Sequence, residues 1–253
     1  MSASKKQAVF RFYGSLTEFL PRTQQQADLR YAFWGRPAVK DAIEAQGGPH
    51  PEVDLIVVNG ECVGFDARLS EGDRVGVYPW LRHLERPEAA LRPAWPDPLR
   101  FVCDVHLGQL ARDLRMLGLD ALYDQGYSDP ALARLSDQQT RVLLTRDVGL
   151  LKRSQVRLGA FVRAQAPARQ LVEVVRRFGI SDASLDPFSR CLDCNVPLEP
   201  ATASTVATEV PPHARRVNEA FWQCPSCETV YWEGSHVERM RQRLRHAFKT
   251  ART

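Results

Sequence analysis

Long apolar runs are missing from this 253-residue chain, and none approaches the roughly 18 residues needed to cross a bilayer. The opening Met1-Ser2-Ala3-Ser4-Lys5-Lys6-Gln7 is followed by no hydrophobic signal core. A cytoplasmic protein with no membrane partner is the expectation. Charge of one sign is also in short supply. Thirty-four Lys and Arg against 30 Asp and Glu leave +4, too little by itself to argue for a polyanion partner. Cysteine is sparse, at six residues, which excludes a small disulfide-stapled scaffold. Wholesale disorder is excluded too, because 44% of the residues are apolar and 25% charged. The charge is unevenly placed. Twelve basic and 13 acidic side chains precede residue 100, whereas 22 and 17 follow, so the basic excess lies in the second half.

The clearest seam runs from Arg82 to Leu99, where Pro87, Pro93, Pro96 and Pro98 interrupt any sustained period. It divides residues 1–82 from a unit over 100–183 and a tail over 184–253, with 83–99 as linker. In the first unit, Val9–Tyr13 reads as a strand, Val39–Ala45 as a helix begun near Pro37, and Leu55–Val58 as a buried strand. Asn59-Gly60 supplies the two left-handed residues of a tight hairpin turn, and Arg74–Tyr78 closes the unit as a further strand. One helix across a sheet makes this an α+β unit. Ala38-Val39-Lys40-Asp41-Ala42-Ile43-Glu44, Val58-Asn59-Gly60-Glu61 and Gly72-Asp73-Arg74-Val75-Gly76-Val77-Tyr78-Pro79 resemble β-grasp, ubiquitin-like sulfur carriers, above all those fused in front of Mut7-C ribonuclease domains. Sulfur carriers need a free terminal glycine pair, and here Tyr78-Pro79-Trp80 runs on. Docking of a protein partner is therefore the expected role.

After the seam, strands alternate with helices, which implies a parallel sheet covered on both faces. Strands are expected at Phe101–Cys103, Ala121–Tyr123, Val142–Leu144 and Ala160–Val162. The intervening helices carry the stripe Leu107, Leu110, Ala111, Leu114 and Leu117, a start at Ser128-Asp129-Pro130 with Ser128 or Asp129 as cap, and the spans Val148–Arg153 and Ala168–Phe178. Ligands of such sheets bind beyond the carboxyl ends of the strands, where Asp104 and Asp147 fall and where Asp129 opens the second helix. Gathered carboxylates need a cation, and open oxygen sites suit Mg²⁺ or Mn²⁺, the chemistry of phosphodiester hydrolysis. Each aspartate alone also reads as a helix cap. Asp113, Asp120, Asp124 and Asp137 read as solvated surface or turn residues, with Asp124 in reserve for the crevice. Thr145 either orients a water or merely ends its strand, and Arg146 stands beside Asp147 within reach of a phosphate. Arg112 and Arg115 either contact phosphate or form a solvated, salt-bridged face.

Phe101-Val102-Cys103-Asp104, Leu107-Gly108-Gln109-Leu110-Ala111-Arg112-Asp113-Leu114-Arg115-Met116-Leu117-Gly118, Tyr127-Ser128-Asp129 and Val142-Leu143-Leu144-Thr145-Arg146-Asp147 resemble the Mut7-C ribonuclease domain, a branch of the PIN-like nucleases. The resemblance implies a PIN-like parallel sheet with flanking helices, carboxylates around one or two divalent ions, and RNA as substrate. Asp104, Asp129 and Asp147 match the acidic positions, and Asp113 departs from an expected aromatic.

Cys191-Leu192-Asp193-Cys194 and Cys224-Pro225-Ser226-Cys227 are two C-x-x-C knuckles 29 residues apart. Four thiolates in this grouping suit a closed, structural Zn²⁺ site. The intervening Ala201–Pro212 reads as an extended loop or hairpin, and Thr229–Trp232 as a ribbon strand before a helix containing Met240. His236 reads as a spare ligand, an RNA contact or a helix-start residue. Arg239, Arg241, Arg243, Arg245 and Lys249, with Phe221, Trp222, Tyr231 and Trp232, either bind single-stranded RNA or form a solvated helix over a ribbon core. The remaining Cys62 and Cys103 are expected to pack as small apolar residues. The resulting expectation is a β-grasp domain, a PIN-like ribonuclease domain and a zinc ribbon. Its alternatives are a catalytically degenerate RNA-binding protein or an adaptor acting through the β-grasp domain.

Overall fold

The structure, a computed structural model, describes residues 4–80, 89–206, 208–218 and 220–252. Part of the proline-rich seam, residues 81–88, lies outside the described residues, as does the side chain of His236.

The N-terminal sheet contains β1 (Lys6–Phe12), β2 (Leu29–Phe33), β3 (Val53–Val58), β4 (Glu61–Cys62) and β5 (Arg74–Pro79), in the order β2-β1-β5-β3-β4. Only β1 and β5 run parallel. Alternation decides the packing: Ala8, Phe10 and Phe12 of β1 join Val75 and Val77 of β5 beneath Val39, Ala42 and Ile43 of α1 (Val39–Ala45). Asn59 (φ 52°) and Gly60 (φ 94°) make the expected hairpin turn. Cys62 is exposed on the short edge strand β4, against the expected apolar packing, because it pairs with Val57, itself opposite Gly76, and so falls on the sheet face away from α1.

The second sheet is parallel throughout: β6 (Arg100–Cys103), β7 (Asp120–Leu122), β8 (Val142–Thr145) and β9 (Gly159–Phe161), in the order β7-β6-β8-β9. Phe101, Cys103, Val142, Leu144 and Ala160 pack toward α2 (Gly108–Met116) and α5 (Pro167–Phe178). Val102 and Leu143 point the other way, toward α3 (Asp129–Gln138) and α4 (Val148–Leu151). Ser128 takes the N-cap position of α3, but no side-chain hydrogen bond caps it.

The tail forms an antiparallel ribbon, β10 (Glu199–Ala201), β11 (Phe221–Gln223) and β12 (Val230–Trp232), with α6 (Pro212–Val217) inside the spacer. The last helix, α7 (Ser235–Arg252), returns to the core of the parallel-sheet unit, where Leu244 and Ala247 pack beside Val174 and Phe178.

The N-terminal unit closes one edge of the parallel sheet. β9 is an edge strand, and its Phe161 N–H would lack a partner. Glu52 accepts it at 2.6 Å, and accepts both Arg177 nitrogens at 3.0 and 2.8 Å. His50 Nε2 lies 2.9 Å from the Val156 carbonyl, and Lys152 donates to the Glu44 carbonyl at 2.6 Å. Beside the seam, buried Arg92 lies 3.6 Å from the centroid of the Trp95 ring and faces Trp80.

Burial pushes the Glu52 carboxyl up, but Arg177, Arg163 and the Phe161 N–H together outweigh it and hold the group below its ordinary value. A depressed folded-state value stabilises the junction above the unfolded value, near 4.5, and that contribution fades as pH falls below it. Glu52→Gln should cost about 3 kcal/mol or more at pH 7, because it strands Arg177, and should flatten the acid limb of stability. Urea melts across pH 3 to 7 measure both; an unchanged acid limb would remove Glu52 from this role.

Candidate active site and zinc centre

The order β7-β6-β8-β9 contains one reversal. The chain leaves β6 for β7 on one side and leaves β8 for β9 on the other, so a crevice opens between the carboxyl ends of β6 and β8. Asp104 follows β6 directly and is 3% exposed. Its Oδ1 accepts the His106 N–H at 2.8 Å; its Oδ2 accepts the Arg146 N–H at 2.9 Å and the Thr145 hydroxyl. The register explains the pairing, since Cys103 lies opposite Leu144 and places Asp104 beside Thr145. The Thr145 oxygen in turn accepts the Asp147 N–H at 2.9 Å. Its proton is committed to Asp104, so Thr145 positions a carboxylate and is not free to orient a water.

Asp147 is exposed at the start of α4, where Oδ1 accepts the Gly149 and Leu150 N–H groups at 2.6 and 3.3 Å. Asp129 is exposed at the start of α3, beyond the neighbouring strand β7. All three acids thus sit at the carboxyl edge. They are not drawn into one tight cage: among the described residues, the cysteine set alone brings three or more ligand atoms within 4.8 Å of one another. A carboxylate has about four lone-pair positions, and Asp104 has three occupied, which leaves one on Oδ1. That donor set fits an ion held by one or two carboxylates and several waters, the habit of Mg²⁺.

The remaining candidates divide sharply. Arg146 does not offer its guanidinium to a phosphate through Nη1, which donates to the carbonyls of Val162, Arg163 and Ala164 at 3.0, 3.0 and 2.6 Å. It is a clamp on the loop after β9. Arg115, 3% exposed, donates to the carbonyls of Ala121, Leu192 and Asp193, each at 2.8 Å, and is structural. Arg112 pairs with Asp193 at the surface. Asp113 is buried and not solvated: Arg243 of α7 donates to it at 2.6 Å and Gln109 at 3.0 Å, yet burial pushes its carboxyl up to about 6. Asp120 is likewise structural, held by both nitrogens of Arg141 at 2.7 and 2.9 Å. Asp124 and Asp137 are exposed, Asp124 closing a turn on the Gly126 N–H. Buried Cys103 has its thiol pushed up to about 12 by burial and by Asp104, which makes it inert.

Sequence reasoning passed over two neighbours of Asp104. The Tyr123 ring packs on Gly108, where a Cβ would lie 2.7 Å from it, and its hydroxyl donates to the Val105 carbonyl at 3.2 Å. Val105 itself is 46% exposed, which leaves an apolar surface beside the acid.

The four cysteine sulfurs lie within 4.8 Å of one another, and Cys191 Sγ is 3.7 Å from Cys227 Sγ. Four sulfurs at about 2.3 Å from a tetrahedral ion lie about 3.8 Å apart, so the set fits Zn²⁺. The Cys194 N–H donates to Cys191 Sγ at 3.3 Å, and the side chain and amide of Thr229 bring the Cys227 thiol down to about 6. The first knuckle also closes the other edge of the parallel sheet. Asn195, at φ 66° just after Cys194, accepts the Ala121 N–H at 3.0 Å and donates to Asp120 at 2.6 Å. Tyr231, expected as a stacking surface, accepts the Leu192 N–H at 3.1 Å, and Phe221 is buried. Of the basic helix residues, Arg241, Arg243 and Arg245 pair with Glu233, Asp113 and Glu238, while Arg239 and Lys249 stay exposed.

The family model described as the Mut7-C RNAse domain matches residues 99–244, and the one described as Mut7-C ubiquitin matches residues 5–85. The exonuclease mut-7 homolog of Homo sapiens is 35% identical over 101 residues, 38% of this chain but only 12% of that protein's length. No solved structure matches.

Asn195→Ala should leave the Ala121 N–H unpaired at a strand edge, at a cost of about 1–3 kcal/mol. Denaturation of the zinc-loaded protein, with hydrogen exchange at Ala121, measures it; equal stability and protection would mean that water serves that edge as well as Asn195 does.

Proposed function

The chain belongs to the Mut7-C RNAse-domain family and carries a Mut7-C ubiquitin domain in front, and from that premise we propose that it is a metal-dependent ribonuclease. It would hydrolyse RNA phosphodiester bonds in the crevice between the ends of β6 and β8. The observation that carries this reading is Asp104: a carboxylate 3% exposed, fixed by three donors at the strand reversal, with Asp147 opening the helix after the adjacent strand. Asp104 and Asp147, with Asp129 from α3, would hold Mg²⁺ or Mn²⁺ largely through waters. Such an ion supplies charge neutralisation for the phosphate and acidifies an attacking water. The chain's own contribution is position. Thr145 and the Arg146 amide fix Asp104, while the Arg146 side chain ties the loop after β9 to the same edge.

Zinc at the four cysteines would be structural, because four thiolates leave no open position. Its ribbon would aid RNA binding through Arg239, Lys249 and the half-buried Trp222 and Trp232. A reducing, cytoplasmic setting suits six cysteines that are all free. The described residues include no helix long and apolar enough to cross a membrane.

The spread of the acidic side chains favours a second reading, a catalytically degenerate RNA-binding protein or an adaptor working through its β-grasp domain. Cleavage of a mixed RNA pool with Mn²⁺ or Mg²⁺ separates the two. Asp104→Asn and Asp147→Asn should each lower cutting on the order of 100-fold with RNA binding retained. Thr145→Val, which only positions Asp104, should cost about 10–100-fold. No cutting by a pure, zinc-loaded parent with either ion would leave the binding reading in place.

A further inference from the structure

α1 covers one face of the N-terminal sheet, and among the described residues no helix covers the opposite face. On that face the parallel register of β1 and β5 sets Arg11 opposite Gly76, and the Tyr13 N–H bonds the Val77 carbonyl at 3.0 Å. Tyr13 and Tyr78 therefore lie side by side, their rings 3° from parallel and 4.4 Å apart at the centroids. Gly76 is what lets Tyr78 lie flat on the sheet, since a Cβ there would sit 2.9 Å from the ring. Tyr13 is 37% exposed, so the stacked pair shows an aromatic surface to solvent.

The surroundings are cationic. Arg11 lies 5.8 Å from the centroid of the Tyr13 ring, Arg74 lies opposite Val9 on the neighbouring strand, and Arg30 of β2 pairs across from that same valine. All three arginines are exposed, and one carboxylate, Asp28, is shared by Arg11 and Arg74 at 3.2 and 3.4 Å. A depression of about 530 Å³ runs beside the pair, bordered by Val9, Asn59 and Gly60.

A relay of hydrogen bonds links the segment after this face to the crevice described above. Two residues after Tyr13, the Ser15 carbonyl accepts from Arg163 at 3.3 Å; the Arg163 carbonyl accepts from Arg146 at 3.0 Å; and the Arg146 N–H reaches Asp104. We propose that this open sheet face binds single-stranded RNA, with the Tyr13–Tyr78 pair stacking a base and Arg11, Arg30 and Arg74 meeting phosphates. It thereby holds the strand on the flank of the carboxyl edge. The proposal rests on the ribonuclease reading only for the choice of RNA. Flat aromatic stacking with guanidinium groups is the chemistry of sequence-tolerant single-strand binding. An excess of fixed positive charge favours a polyanion over an ordinary protein surface.

The test uses the full, zinc-loaded chain without added Mg²⁺ or Mn²⁺, and fluorescein-labelled oligo(U) and oligo(A) of about 12 nucleotides read by anisotropy. Tyr13→Ala should weaken both probes about ten-fold, and Tyr13→Phe, which keeps the stack, should restore binding. Arg11→Gln with Arg74→Gln should lower the slope of log affinity against log salt by about 1.4, roughly 0.7 per lost phosphate contact. A 4-thiouridine probe should cross-link to a peptide containing Tyr13 or Tyr78. Failure of the parent to bind, or binding that neither set of substitutions changes and cross-links confined to residues after 99, would overturn the proposal. So would a partner protein captured through Tyr13 while RNA affinity stays at the parent's value. Cleavage without these effects leaves the nuclease reading intact and removes this face; these effects without cleavage do the reverse.

Discussion

A four-stranded parallel sheet has two edges, and the backbone groups along them must find partners or forfeit about 1–3 kcal/mol each where water is excluded. Among the described residues neither edge is closed by a strand. Glu52 from the β-grasp unit reaches the Phe161 N–H on one side, and Asn195 from the first cysteine knuckle reaches the Ala121 N–H on the other, with Arg115 on the Ala121 carbonyl. The two flanking modules therefore complete the central one. Each contact is also anchored behind itself, Glu52 by Arg177 and Asn195 through Asp120 to Arg141. An edge closed by a side chain is tied to whatever holds that side chain, so the geometry of the sheet is coupled to the β-grasp fold and to the integrity of the cysteine site.

The proposed chemistry sits where that coupling converges. Asp104 is oriented by Thr145 and Arg146 from the adjacent strand end, and Arg146 holds the loop whose next turn, at Arg163, meets Ser15 and Glu18 of the first domain. A buried carboxylate fixed by backbone and hydroxyl donors keeps its position before any ligand arrives, which is the form of preorganisation that charge stabilisation depends on.

Much of this was legible in the chain and some was not, for physical reasons. The alternation of short apolar runs with helical stripes marks the parallel sheet, since β6 and β8 are covered on both faces and read as unbroken apolar segments. The paired cysteines read directly as a metal site because spacing alone carries that signal. Arg115 and Asp113 did not read correctly, because the stripe on α2 accounts for one packed face, whereas α2 also meets the cysteine knuckle that takes Arg115 and α7 that takes Asp113. A one-dimensional period describes a helix with a single partner. Asn195 did leave a trace, a residue type that tolerates a left-handed backbone placed just after the second cysteine. The carboxyl-edge placement of Asp104, Asp129 and Asp147 followed from topology, whereas the distances between their side chains depend on cap geometry that no pattern encodes.

The position of α7 has a consequence for how the protein is made. Leu244 and Ala247 fill a core whose other buried residues lie between 101 and 192. During vectorial synthesis, the sheet and its first helices emerge with the α5 flank still bare, and that apolar strip stays uncovered while the ribbon and α7 are translated. Until then that strip is exposed apolar surface of the kind that invites aggregation, and a ribosome stalled within the ribbon would present the parallel-sheet module with its hydrophobic interior open on one side.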